Sequence, residues 1–180
     1  MNFRNILADF KTKKVHYADR EQKIMVEEII NNYENERYIS VEVTGFVLYE
    51  KIFTTKLNRE TSNPDDFKPS KENVSRQIEN LIKREKEVVD ERKLRFYDIT
   101  EKLENLDILS TTEKEYYDDF YNKYRNPVLH GLSHRLYDIL YDKRTTFIQR
   151  DLDIEKLHKE MSEKIIKKLH ELYFEKSFYD

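Results

Sequence analysis

At 180 residues the chain is long enough for one domain with a core, yet it holds only 2 Gly and 3 Pro, where average usage would give about 13 and about 9. So few glycines cannot supply the turns of a sheet protein or the backbone cradle of a phosphate loop, and the absence of Cys removes disulfides, thiolate metal sites and cysteine nucleophiles. Charged and hydrophobic residues each make up 38%, with 13 Tyr and 10 Phe, which suits amphipathic helices, and a net charge of −3 carries no global footprint for nucleic acid.

Residues 1–14 alternate apolar and charged side chains and lack the apolar core of a signal peptide. Val26, Ile29, Ile30 and Tyr33 recur at helical spacing and predict an amphipathic helix over about 18–35. The most apolar stretch follows, from Arg37 to Leu57. Ile39, Val41 and Val43 alternate as in a strand, but Ile39, Val43, Phe46, Val47, Phe53 and Leu57 also share one helical face. A lone strand would have no partner in this sequence, so the expectation is a central buried helix with Gly45 as a close-packing point. Residues 58–70, with Pro64 and Pro69, read as a connector. A long helix is then expected from Ser70 to Lys93, and helical spacing resumes from Leu94 to Leu106. Thr112 and Glu115 form an expected capping-box pair for the next helix, whose flank carries Tyr116, Tyr117, Phe120, Tyr121 and Tyr124. Asn126-Pro127 reads as a fresh start, with Asn as cap and Pro at the first helical position, for a helix running to about Asp142. Ile154, Leu157, Met161, Ile165, Leu169 and Leu172 mark a long C-terminal helix. The expected architecture is one all-α domain over 1–180, a bundle of five or six helices. No apolar run approaches the roughly 20 residues that span a bilayer, and the cytoplasm is the default location.

Arg125-Asn126-Pro127-Val128-Leu129-His130-Gly131 is the segment richest in chemistry. An Arg a few residues before a His arises freely in this composition, and a partly buried His under a loop is the plain alternative. Context adds weight to the spacing. With a helix starting at Asn126, His130 would lie on the first turn, where unpaired amides and the positive dipole end receive an anion. Arg supplies a permanently charged forked donor for phosphate, and His a proton donor or acceptor near neutral pH. His130, His134, Tyr137 and Tyr141 would form a polar-aromatic stripe beside the apolar face of Leu129, Leu132, Leu136 and Ile139, with Gly131 permitting a close approach.

This motif resembles that of the HEPN superfamily, the higher eukaryote and prokaryote nucleotide-binding domains: an Arg, a polar residue, a short spacer and a His at the start of a late helix. The stretch from Tyr38 to Leu57 is similar to the buried second helix of some bacterial members. The resemblance implies a HEPN-like helical bundle and a homodimeric, metal-independent endoribonuclease that needs no cofactor, with two copies of the motif meeting across a cleft. It implies that Arg125 holds the scissile phosphate, that His130 moves a proton as the ribose 2′-OH attacks, and that Asn126 orients one or the other. Members act as toxins, abortive-infection effectors and other anti-phage nucleases, which implies an RNA substrate and an antitoxin or sensor protein as partner. Others are non-catalytic modules that bind a protein, a nucleotide or RNA. In members silenced by a nucleotidyltransferase a Tyr follows the His by two positions; here Leu132 stands there, and Tyr137 does not replace it.

Other constellations carry less. His130 and His134 have a metal-binding spacing but no cysteine or adjacent Glu, so no metal site is expected. Asp65-Asp66, Asp118-Asp119 and Asp151 with Asp153 read as solvated carboxylates. The Tyr116–Tyr124 flank reads as core or dimer packing before base stacking. Lys164, Lys167 and Lys168, interleaved with Glu163 and Glu171, read as a wet helix face. Glu50, inside an apolar run, is either a buried partner for Arg125 or the wet edge of its helix.

Overall fold

The computed structural model describes residues 2–62, 95–141, 153–176, 178 and 179. The helix expected from Ser70 to Lys93, most of the connector before it, and Asp65, Asp66 and Asp151 lie outside the described residues. The regular elements of the described residues are all helices, with no strand among them. The helices are α1 (Phe3–Thr12), α2 (Arg20–Glu34), α3 (Tyr38–Thr61), α4 (Phe96–Asn105), α5 (Thr111–Leu129), α6 (Ser133–Tyr141) and α7 (Ile154–His170), and a π turn, Glu171–Glu175, prolongs the last.

The chain divides into two compact units. One comprises residues 1–52 and 119–180, the other residues 53–118, so α3 and α5 each begin in one unit and end in the other. In the larger unit, Val26, Ile29 and Ile30 of α2 are buried, as are Met161, Ile165 and Leu169 of α7 and Phe46, Leu48 and Tyr49 of α3. Aromatic rings fill the seam between α3 and α5: Phe46 stacks on Phe120 at 5.9 Å between centroids, and Tyr49 on Tyr121 at 6.4 Å. In the smaller unit Phe53 meets Phe96 and Tyr117 edge-on, each at 5.1 Å, beside buried Leu57, Ile99 and Leu103. Tyr117, Phe120, Tyr121 and Tyr124 are thus core side chains, and only Tyr116 of that flank is exposed.

Tyr38–Thr61 is a helix, and Gly45 is the expected close-packing point: a Cβ there would overlap the side chain of Ile165 on α7. Its buried face differs from expectation. Val41, Phe46, Leu48, Tyr49, Ile52 and Phe53 are buried, whereas Ile39, Val43 and Val47 are 60%, 39% and 51% exposed. The apolar run covers more than one face of α3, and spacing alone does not say which face meets a neighbour.

Residues 1–14, left unassigned by the sequence, contain α1, capped by the Asn2 side chain on the Arg4 amide at 3.1 Å. The capping box of α5 lies two residues earlier than the expected Thr112–Glu115 pair. The Ser110 amide and hydroxyl both donate to Glu113 Oε2 at 2.9 Å, and the Glu113 amide donates to Ser110 Oγ at 3.3 Å. Lys168 is buried, 5.3 Å from the Phe120 ring, with Nζ on Glu171 at 3.0 Å, so it leaves the wet face where Lys164 and Lys167 remain. Burial holds its ammonium below the usual lysine range. Asp118 is buried too: it accepts from the Thr100 hydroxyl at 2.7 Å and pairs with Lys114 at 3.2 Å. Asp153 caps α7 through the Lys156 amide at 3.0 Å.

Candidate functional site

Helix α5 does not stop before the motif. It runs through Asn126 and Pro127 to Leu129, so the fresh start expected at Asn126-Pro127 is replaced by a helix end. Pro127 has no amide hydrogen for the Lys123 carbonyl, but Pro127 and Val128 are both buried, and their burial keeps this turn helical. The stop comes at Gly131, whose φ of +62° is the left-handed conformation of a helix C-cap. The Gly131 amide donates to the Val128 carbonyl at 3.2 Å and the Leu132 amide to the Pro127 carbonyl at 2.8 Å. That pair of bonds is a Schellman closure.

This inverts the local electrostatics expected from the sequence. His130 follows the last turn of α5, where carbonyls and the negative dipole end gather, and the N-terminal amides invoked for an anion are absent from it. The next helix, α6, starts at Ser133, so His134 rather than His130 occupies a first turn. His130 and Asn126 are exposed.

Arg125 sits inside α5 and is held by α3. Glu50 Oε1 accepts from Arg125 Nε at 2.9 Å and also from the Tyr121 hydroxyl. Tyr121 lies one turn before Arg125, and the guanidinium carbon stands 5.3 Å from its ring centroid. Arg125 Nη1 reaches Asn126 Oδ1 at 3.5 Å. The Arg125 and Glu50 side chains are 32% and 38% exposed, so Glu50 is the partner of Arg125 and is half-buried. Burial and the Glu50 carboxylate push the Tyr121 phenol well above its usual range, which keeps it a donor.

Of the three expected site residues, Arg125 and Asn126 therefore touch. Among the described residues, no hydrogen bond or ion pair joins the His130 ring to either. Tyr137 and Tyr141 of the expected stripe are neighbours, their tilted rings 4.7 Å apart between centroids, and the Tyr141 hydroxyl donates to Glu160 at 2.6 Å. Among the described residues, no group of three or more His, Asp or Glu side chains could hold a metal ion, and no helix is long and apolar enough to cross a membrane.

Two buried acid–histidine pairs escaped the sequence reading. His158 Nδ1 lies 2.9 and 3.0 Å from the two carboxylate oxygens of Glu42, both residues being buried. Burial raises the Glu42 carboxyl above its ordinary range, and the hydrogen bond His158 makes to Glu42 raises the imidazole. His170 Nε2 meets Asp9 Oδ2 at 2.9 Å, and hydrogen bonds from Lys13 and then His170 lower the Asp9 carboxyl. The available signal was a charged residue inside an apolar pattern: Glu42 between Val41 and Val43, and His158 on the Leu157–Met161 face.

Comparison with family models, with curated proteins and with solved structures finds no match for this chain.

Proposed function

We propose that the chain is a HEPN-type, metal-independent endoribonuclease acting as a homodimer in the cytoplasm, as a toxin or anti-phage effector. The observation that carries this reading is the setting of Arg125. Glu50 holds its Nε edge, the Tyr121 ring flanks it, and among the described residues Nη2 has no partner. A guanidinium whose Nε is fixed on Glu50 keeps Nη2 available for a phosphate oxygen.

In this mechanism Arg125 binds the scissile phosphate and balances the charge that builds on its oxygens. The ribose 2′-oxygen attacks phosphorus and loses its proton to a base, the P–O5′ bond breaks, and O5′ takes a proton from an acid. The products are a 2′,3′-cyclic phosphate and a 5′-hydroxyl. His130 is the group with the right proton chemistry near neutral pH. Because the His130 ring does not touch Arg125 in its own chain, the second copy completes the pair, and Asn126 orients the phosphate beside Arg125.

The exposed stripe of Ile39, Val43 and Val47 favours a second reading, a non-catalytic module that docks a partner protein. Cleavage of a mixed RNA pool in excess EDTA, run beside Arg125→Ala and His130→Ala, separates the two. The nuclease reading expects cyclic-phosphate ends from the wild type and none from either variant. No cleavage by folded, dimeric wild type favours the module, as does cleavage that survives both substitutions.

A further inference from the structure

A groove of about 600 Å³ opens between the C-terminal end of α1, the segment after it, and α2. Its floor is apolar. Val26 and Ile30 of α2 are buried, and Phe10 and Tyr17 contribute partly exposed rings to the wall. Both rings are braced from behind by the C-terminal part of the chain. Phe10 meets Phe174 edge-on at 5.1 Å and His170 at 5.9 Å, and Tyr17 meets Tyr173 edge-on at 5.2 Å. The wall is therefore preformed and need not be ordered by a ligand.

The rim has the opposite character. Lys11, Lys13, Lys14 and Lys23 surround the opening, against the carboxylates of Glu27 and Glu34 only. A local excess of positive charge thus sits on a chain whose net charge is −3. Glu34 is engaged by Lys11, Glu27 lies 3.7 Å from Lys23, and Lys13 turns to Asp9 at 2.8 Å. Lys14 forms no ion pair among the described residues. Lysines near a helix C-terminus can simply answer the helix dipole, but that reading does not account for the apolar floor and ring-lined wall beside them.

We propose that this groove binds a small aromatic anion, a flat ring system carrying one phosphate-like group. The ring would lie on Val26 and Ile30 against Phe10 and Tyr17, and the anionic group would meet Lys14 at the rim. The volume suits a ligand of this size, since small-molecule pockets run from roughly 300 to 1,000 Å³, with apolar walls and a few convergent polar groups. The proposal is independent of the reading of Arg125 and His130.

The test is a titration of the full-length protein with 1-naphthyl phosphate, with 1-naphthol and inorganic phosphate as comparators. Naphthyl fluorescence and calorimetry give the affinity, and amide chemical-shift changes give the location. Two exposed substitutions leave the core untouched: Lys14→Glu reverses charge at the rim, and Asn31→Trp fills the opening. Circular dichroism checks that both variants fold. The expected result is saturable one-site binding, with shifts confined to α1, α2 and residues 13–17. Each substitution should weaken it about tenfold or more, and both comparators should bind more weakly than naphthyl phosphate. Absence of saturation at millimolar ligand overturns the proposal. So does unchanged affinity in both variants, or 1-naphthol binding as tightly as its phosphate. Preference for a single-stranded oligonucleotide over the aryl phosphate would likewise replace this site with a strand-binding surface.

Discussion

Glu50 on α3 takes two donors on one carboxylate oxygen, the Nε of Arg125 and the hydroxyl of Tyr121, both from α5. The bond to Nε fixes the guanidinium plane, with Nη1 3.5 Å from Asn126 Oδ1. A carboxylate used this way sets the direction of an arginine and does not neutralise its whole binding edge. Glu50→Gln keeps one acceptor oxygen and removes the charge, whereas Glu50→Ala removes both.

In the RNA assay, Glu50→Gln should retain part of the cleavage and Glu50→Ala should lose nearly all of it, with the loss appearing in kcat more than in KM. Equal, full activity in both variants would mean that Arg125 is positioned by something else. Tyr121→Phe probes the other arm. The phenol is buried and bonded, so its removal should cost about 1 kcal/mol in urea unfolding.

Gly45 makes a second test, of packing. Alanine favours a helix over glycine by about 1 kcal/mol, so Gly45→Ala on an open helix face would stabilise. Here the added methyl overlaps Ile165, a β-branched side chain with few alternative rotamers. The expected outcome is a loss of about 1–3 kcal/mol, the usual cost of overpacking. Denaturant unfolding of Gly45→Ala and Ile165→Ala, singly and together, checks it: the double variant should be more stable than the sum of the two losses predicts.

The helical class and much of the core were legible because period-3.6 spacing records burial directly, as at Val26, Ile29 and Ile30 of α2 or Leu157, Met161 and Ile165 of α7. Spacing failed where a run is apolar all round. Ile39, Val43 and Val47 look as core-like as Phe46, and only tertiary contacts choose among them. The motif failed differently. Asn126-Pro127 and Gly131 are competing signals, one for a start and one for a stop, and the burial of Pro127 and Val128 decides for the stop. The pairing of Glu50 with Arg125 was legible as one of two readings, since a carboxylate in an apolar stretch needs a reason. Tyr121 as its second donor was not, because that contact joins residues 71 apart in the chain.

The Glu42–His158 pair sets a pH dependence. Both groups have raised folded-state values, so between the unfolded and folded pKa of each the native protein holds more protons than the unfolded chain. For His158 the hydrogen bond to Glu42 therefore contributes stability that is fully present below about pH 6.5, the unfolded value, and is lost as pH rises through the folded value. Histidine proton resonances followed by NMR should show His158 titrating above the unfolded range. Glu42→Gln should bring it down and flatten the fall in thermal stability on the alkaline side. A His158 resonance that titrates at or below the ordinary value would contradict the assigned pair.

Gly131 tests the inverted end of α5, and it differs from Gly45 in the reason it must be glycine. A Cβ at Gly131 would meet nothing within 4 Å, so space is no obstacle; its φ of +62° is. The cost of substitution should therefore follow tolerance of the left-handed region and not side-chain size. Gly131→Asn should lose a few tenths of a kcal/mol, Gly131→Ala about 1, and Gly131→Val more, since β-branching is worst there. Had the helix begun at Asn126, position 131 would be a helix interior, where alanine is the best residue and Gly131→Ala would stabilise. The sign of that one substitution in urea unfolding distinguishes a Schellman stop from a helix start. A loss confirms that His130 follows the carbonyl end of α5, and a gain would return the motif to an amide-bearing N-terminus.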